Sequence, residues 1–251
     1  MSRLSDVNVF IERSRQCRTA DDLRRIMEAI TLEMGFHSYA LFQHVHHFSW
    51  TNKGLLAISN YSRAWLQYFF EQKFTSDDPV HIASYRTSVG FRFSQIPHMI
   101  SLNDRQREIL AATRRDGMTD GFCVPAHIPG ETNGTCTFVV RDSAPLPEAN
   151  LPMAQLVGSF AYEAARQIQL SGQPIVRATP RHKLTMRQLE CVVLIARGKT
   201  DWEIAKILGV QEQTVSDHVD AARTRCGVSR RTELVVHALY NGDITFYDIL
   251  K

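Results

Sequence analysis

Residues 184–244 read LTMRQLECVVLIARGKTDWEIAKILGVQEQTVSDHVDAARTRCGVSRRTELVVHALYNGDI, and four short helices are legible in them. Thr185 is followed three residues on by Gln188, and Thr200 by Glu203. Each pair has the spacing of a capping box, in which two side chains satisfy the unpaired amides of a helix start. Ser229 precedes the last helix as an N-cap. Apolar residues recur at helical spacing: Leu189, Val192, Val193 and Ala196 in the first helix, Ile204, Ala205 and Leu208 in the second. Gly198 and Gly209 fall where helices should stop. Asp201–Leu208, a turn at Gly209-Val210 and Glu212–Cys226 therefore predict a helix-turn-helix, the kind of unit whose second helix enters a DNA major groove.

The whole chain has 251 residues, enough for one large or two modest domains. A hydrophobic content of 44% with 22% charged residues is ordinary for a soluble globular protein. The opening MSRLSDVNVF has no apolar signal core, and no apolar run reaches the length of a membrane span. Five cysteines (17, 123, 136, 191 and 226) form no CxxC pair and read as reduced, mostly buried thiols. These features predict a cytoplasmic protein with no membrane partner. Residues 1–176 carry 17 basic and 17 acidic side chains, whereas 177–251 carry 12 and 9, so the net +3 resides in the helix-turn-helix part. That placement fits a phosphate-contacting surface, though a charge excess is also what any solvated face shows.

Upstream, periodicity predicts helices over 6–15 and 20–34, the second striped by Leu23, Ile26, Met27, Ile30 and Met34. Strands are expected at 36–45 and 55–59, and helices at 62–73 and 103–115. Pro79, with Asp78 as N-cap, opens a short helix toward Tyr85. Gly117 and Gly121 read as a corner, before strands 122–127 and 135–140 joined by the turn Pro129-Gly130-Glu131-Thr132-Asn133-Gly134. A long helix follows over 150–170, then a linker without periodicity over 171–182. The expected architecture is an α/β/α sandwich around a central antiparallel sheet over 1–170, and an all-α helix-turn-helix domain over 183–251.

The C-terminal stretch resembles the DNA-binding domain of the LuxR family. The matching residues are Leu184-Thr185, Arg187, Glu190, Ala196-Arg197-Gly198-Lys199, Glu203-Ile204-Ala205, Leu208, Val210, Thr214-Val215, His218, Val228 and Arg231, without a gap. Tyr61-x-x-x-Trp65, Asp78-Pro79-Val80 thirteen residues after the Trp, and Gly121 extend the resemblance to the autoinducer-binding domain of quorum-sensing LuxR-type receptors. It implies an N-acyl-homoserine lactone as effector and no cofactor.

Such a ligand has a lactone carbonyl, an amide and a greasy tail, and each polar group left unpaired in a buried pocket costs ~1–3 kcal/mol. The resemblance assigns the Trp65 indole to the lactone carbonyl; Asp78 offers an acceptor for the amide N–H and Tyr61 a donor for the amide carbonyl. Tyr61 and Trp65, four apart, are expected on one face of a helix beginning near Tyr61. Gly121 is expected to keep the wall near the lactone free of a side chain. Phe69 stands where the family usually has Tyr, and Phe93 where it usually has Trp, so an apolar lining survives with fewer polar groups. The strand position that carries Ser or Thr in several relatives aligns with Val140, or with Thr137 if the loop lengths differ. These residues also admit a plainer reading, with Tyr61, Trp65, Phe69 and Phe93 as core aromatics and Asp78 as only a helix cap. His44, His46 and His47 read as an exposed strand edge rather than a metal site, since no Cys or carboxylate lies at matching spacing.

On the recognition helix, Val215, Val219, Ala222 and Cys226 should face the core. Gln213, Ser216, Asp217, Asp220 and Arg223 lie on other faces, the N-terminal ones positioned for base edges, while Thr214, Lys199 and Arg223 suit phosphates. Asp217 and Asp220 depart from the family, where basic or amide residues are common. A carboxylate facing DNA is repelled unless it accepts from cytosine N4. Asp220 has Arg223 three residues on to pair with; Asp217 has no such neighbour. Arg230-Arg231 suits either phosphate or solvent. The implied partners are an autoinducer, double-stranded promoter DNA and a second copy of the chain. Val235, Val236, Leu239 and Tyr240, or the long 150–170 helix, are the candidate dimer surfaces, unless they are ordinary core. A phosphorylation-controlled receiver is not expected, because Asp21-Asp22 sit in a helical stretch. Nor is an enzyme, since HExxH, GxSxG and P-loop motifs are absent.

Overall fold

The computed structural model describes residues 4–44, 56–128, 131–171 and 184–250. They fall in two compact units. His46, His47, Leu55, Pro129, Gly130 and the linker from residue 172 to 182 lie outside the described residues.

The first unit begins with helices α1 (Leu4–Gln16) and α2 (Ala20–Glu33). Thr19 and Asp22 close a reciprocal capping box at the start of α2, and the expected stripe of Leu23, Ile26, Met27 and Ile30 is buried. Strands β1 (Ser38–Gln43) and β2 (Ala57–Ser59) are followed by α3 (Arg63–Glu71), α4 (Pro79–Ser84), β3 (Phe91–Arg92), α5 (Ile96–Met99) and α6 (Asp104–Arg115). The hairpin β4 (Met118–Ala126) and β5 (Gly134–Arg141) leads to α7 (Leu151–Ser171). The five strands pair antiparallel in the order β2-β1-β5-β4-β3. Helices α2 and α7 pack on one side of the sheet and α4 and α6 on the other, giving the α/β/α layering the sequence implied.

The pleat of the sheet assigns its side chains. Register pairs Ala40 with Thr137 and Gly121 with Val139, so these residues share the face toward α3, α4 and α6. Leu41, Cys136, Phe138 and Val140 point the other way, toward α2 and α7.

Three expectations change here, and two short elements are added. Helix α3 starts at Arg63, with the Ser62 hydroxyl accepting the Trp65 amide at 3.1 Å, so Tyr61 precedes the helix. Strand β4 begins at Met118, and Gly121 lies inside it, not at a corner. A register irregularity between Met118 and Asp120 lets the turn-like Thr119-Asp120-Gly121 continue the strand. Strand β3 and helix α5 are two and four residues long, too short to show a period. His44 is buried, 7% exposed, instead of lying on an exposed edge.

The second unit contains α8 (Met186–Ala196), α9 (Asp201–Leu208), α10 (Glu212–Cys226), α11 (Arg231–Asn241) and α12 (Phe246–Ile249). Both expected capping boxes form, at Thr185 with Gln188 and at Thr200 with Glu203. Gly209 ends α9 at φ 66°, a left-handed conformation that makes the sharp turn into α10 cheap for glycine. Val192, Ile204, Val215, Ala222, Leu234 and Ala238 form one buried core. Arg230, not Ser229, occupies the N-cap of α11, and the Glu233 carboxylate accepts the amides of both. The short α12, capped by Thr245, was not foreseen.

Candidate ligand cavity and DNA-contacting helix

Between the sheet and helices α3, α4 and α6 lies a cavity of about 70 Å3. Tyr61, Trp65, Phe69, Asp78, Phe93 and Thr137 line it, six of the nine residues singled out in the sequence as ligand-binding candidates. Each reaches it for a local reason. The Ser62 cap sets the start of α3, which carries Trp65 and, one turn on, Phe69, their rings 5.9 Å apart. Phe69 in turn meets Phe74 edge-on at 5.7 Å. Asp78 caps α4 by accepting the Val80 amide at 2.9 Å, yet its carboxylate also borders the cavity. The cap and the site readings of Asp78 are thus compatible.

The wall is mainly apolar and aromatic, with Tyr61, Trp65, Asp78, His81 and three threonines (75, 113 and 137) supplying its polar side chains. Among the described residues neither the Trp65 indole nor the Tyr61 hydroxyl has a hydrogen-bond partner, so both donors stand unused. Burial, reinforced by the Asp78 carboxylate, pushes the Tyr61 phenol far above its ordinary range and keeps it a donor at physiological pH. The cavity end at Asp78 also holds His81, which the sequence reading passed over. Its Nε2 stands 3.5 Å from Asp78 Oδ2, and its ring stacks on His44 at 4.0 Å. His44 is held at Nδ1 by the Tyr85 hydroxyl (3.1 Å) and at Nε2 by the Thr135 hydroxyl (3.2 Å). A three-residue offset from a helix-capping aspartate was the available signal for His81, since it puts both on one face.

Three candidates sit elsewhere. Val140 is fully buried on the opposite face of β5, because Thr137 and Val139 take the cavity side and the pleat alternates. Thr137 is the residue of that pair on the cavity wall. Pro79 is buried in the first turn of α4 but is not part of the cavity lining. Gly121 faces the cavity side, yet what it leaves room for is Phe93. A Cβ there would come within 2.7 Å of Phe93 Cζ and 2.8 Å of the Phe138 carbonyl oxygen.

In the second unit α10 buries Val215, Val219 and Ala222, with Cys226 half-buried. Gln213, Asp217 and Asp220 are exposed, and Thr214, Ser216 and Arg223 are half-buried. The Gln213 amide donates to Asp217 Oδ1 at 3.0 Å, giving Asp217 a partner four residues back that a search for basic neighbours misses. Arg223 pairs with Asp220 at 2.9 Å. Lys199 lies 3.7 Å from Glu203. Arg231 donates to the Lys199 carbonyl at 3.0 Å and pairs with Asp201 at 3.3 Å, tying α11 to the start of α9. Its structural contacts were missed because they span about thirty residues. On α11, Val236 and Tyr240 are exposed, while Val235 and Leu239 pack against the core. The α7 face carrying Ala154, Val157, Gly158 and Ala161 is buried.

Among the described residues no three His, Cys, Asp or Glu side chains gather as a metal site, and no helix is long and apolar enough to cross a membrane.

The chain matches the family model for the autoinducer binding domain over residues 19–165, and that for bacterial regulatory proteins of the luxR family over 182–238. It is 27% identical to the transcriptional activator protein VanR of Vibrio anguillarum, covering 95% of this chain and 97% of that protein. It is 29% identical to the quorum sensing-dependent regulator RpaR of Rhodopseudomonas palustris, covering 76% of this chain and 77% of that protein. A crystal structure of Escherichia coli SdiA superposes with a TM-score of 0.57 at 22% identity, covering 98% of this chain and 99% of that one. SdiA in complex with octanoyl-rac-glycerol gives 0.55 at 20% identity, covering 95% and 96%. The relatives are transcriptional regulators, not enzymes, and the matched domain takes an effector in place of a cofactor. The chain belongs to the LuxR family of transcriptional regulators, with an autoinducer-binding domain followed by a helix-turn-helix DNA-binding domain.

Proposed function

We propose that this regulator binds an N-acyl-homoserine lactone in the cavity between the sheet and α3, α4 and α6, and binds a promoter palindrome as a homodimer through α10. The observation that carries the ligand reading is the wall itself: two donors unpaired among the described residues, Tyr61 and Trp65, and one carboxylate acceptor, Asp78, in a mainly apolar and aromatic lining that also holds His81 and three threonines. A lactone carbonyl, an amide carbonyl and an amide N–H match those three groups in number and polarity. Trp65 donates to the lactone carbonyl, Tyr61 to the amide carbonyl, and Asp78 accepts from the amide N–H. Phe69 and Phe93 line the acyl tail, with Thr137 and Val139 as the floor.

The DNA reading rests on Gln213, Ser216 and Asp217 near the N-terminus of α10, with Thr214, Lys199 and Arg223 on phosphate. Two-fold-related half-sites follow from the small contact area of one helix-turn-helix, and Val236 and Tyr240 offer the exposed apolar pair for a second copy. The domain limits that accompany this reading are 1–170, 171–182 and 183–251, and the working compartment is the cytoplasm. Ligand acts by mass action on the folded form.

A second reading, a regulator that answers a non-lactone molecule, draws support from the fold likeness to SdiA, one structure of which holds octanoyl-rac-glycerol. Thermal unfolding and DNA mobility shifts with and without a series of acyl-homoserine lactones test the first reading. A rise in melting temperature with at least one lactone is expected. No change in melting or DNA affinity with any of them overturns the ligand assignment in favour of the second reading.

A further inference from the structure

Resting on the lactone reading, we infer that His81 selects acyl chains bearing a hydroxyl on the third carbon, one methylene beyond the amide carbonyl. The ring belongs to the cavity wall and is 8% exposed. Of its two nitrogens, Nε2 approaches Asp78 Oδ2 at 3.5 Å, while Nδ1 is buried with no hydrogen-bond partner. A neutral imidazole carries one N–H and one lone pair. The carboxylate decides which nitrogen holds the proton, because a lone pair facing Asp78 would be repelled. In the neutral ring Nε2 is therefore the donor and Nδ1 the acceptor.

A buried acceptor without a donor is a standing penalty that a suitable ligand relieves. His81 lies one turn beyond Asp78 on α4, so with the ligand amide at Asp78 it adjoins the first carbons of the acyl chain. A hydroxyl there supplies the missing donor. A keto oxygen presents a second acceptor to Nδ1, and an unsubstituted chain leaves it unpaired. The imidazole thus discriminates among ligands of one length by the oxidation state of a single carbon.

The test uses the full-length protein and three probes of equal chain length: N-octanoyl-, N-(3-oxooctanoyl)- and N-(3-hydroxyoctanoyl)-homoserine lactone. The wild type is expected to bind the hydroxy compound about tenfold more tightly than either of the others. His81→Phe, which keeps a ring against His44, should bring the three within about twofold of one another. Equal or tighter binding of the oxo or plain compound by the wild type overturns the inference, as does a tenfold preference that survives in His81→Phe. The wild-type ranking alone decides if the variant does not fold. Failure of all three to bind removes the lactone reading itself, a result distinct from binding without preference.

Discussion

Asp78 is both a cap and a wall group, and two substitutions separate those contributions. Oδ1 accepts the Val80 amide at 2.9 Å, while Oδ2 stands 3.5 Å from His81 Nε2 beside the cavity. Asn caps helices about as well as Asp, so Asp78→Asn should keep the bond to Val80 and leave the unliganded protein almost unchanged. Ala removes the cap at a cost of about 1 kcal/mol. For a chain of this size that corresponds to a fall in Tm of roughly 2–4 °C. With ligand the order changes. The Asn carbonyl is spent on Val80, and its NH2 group meets the ligand amide N–H donor to donor. One buried N–H left unpaired costs ~1–3 kcal/mol, so affinity falls roughly tenfold to a hundredfold. Both variants should therefore lose N-octanoyl-homoserine lactone affinity by titration calorimetry, while only Asp78→Ala loses Tm without ligand. Wild-type affinity in Asp78→Asn would refute a carboxylate facing the ligand amide. An equal loss of Tm in the two unliganded variants would refute the capping argument.

Further outcomes follow from the packing and the charges. Gly121→Ala puts a methyl against the Phe138 carbonyl and the Phe93 ring, and the overpacking should cost about 1–3 kcal/mol. Chemical denaturation measures this; an unchanged midpoint would mean that β4 has slack the close contacts deny. The Glu203 carboxyl is held below its ordinary value of 4.5, first by the Thr200 amide and then by the Thr200 hydroxyl. A depressed carboxyl contributes stability that is present above pH 4.5 and lost as pH falls through the lowered value. Glu203→Gln should flatten the acid limb of helix-turn-helix unfolding followed by circular dichroism, and an unaltered limb would assign that limb to other groups. Asp217→Ala should relax base preference at one position of each half-site by about 1–3 kcal/mol while leaving the salt dependence of binding nearly intact. Site selection from randomised duplexes reads this out, and an unchanged consensus would remove Asp217 from base contact.

How far the sequence foretold the molecule depended on the range of the interactions involved. The helix-turn-helix was readable to the residue because its signals are local: two capping boxes, an apolar stripe and Gly209 each act within a turn or two. The cavity was half readable. Trp65, Phe69 and Asp78 could be placed from helix spacing and capping, and Tyr61 reached the wall although it precedes α3. Thr137 and Val140 could not be separated from spacing alone. Which of them faces the cavity is a matter of strand register, and that is set by pairing with β1 and β4 across long stretches of chain. The same holds for β4, whose first residues read as a turn until pairing with β5 made them strand. His81 carried no signal of its own beyond its offset from Asp78, and its stack on His44 joins residues far apart in the chain. Arg231 was legible as a basic residue at a helix start, but its pairing with Asp201 required the packed unit.

The central claim is that the cavity walled by Tyr61, Trp65 and Asp78 holds an acyl-homoserine lactone. Its most direct test is the mass of the small molecule released from protein purified out of cells supplied with a mixture of such lactones. The account predicts one lactone, near one per chain, which disappears from preparations of Asp78→Asn. Recovery of a molecule without an amide-linked lactone, or of a lactone retained equally by Asp78→Asn, would contradict it.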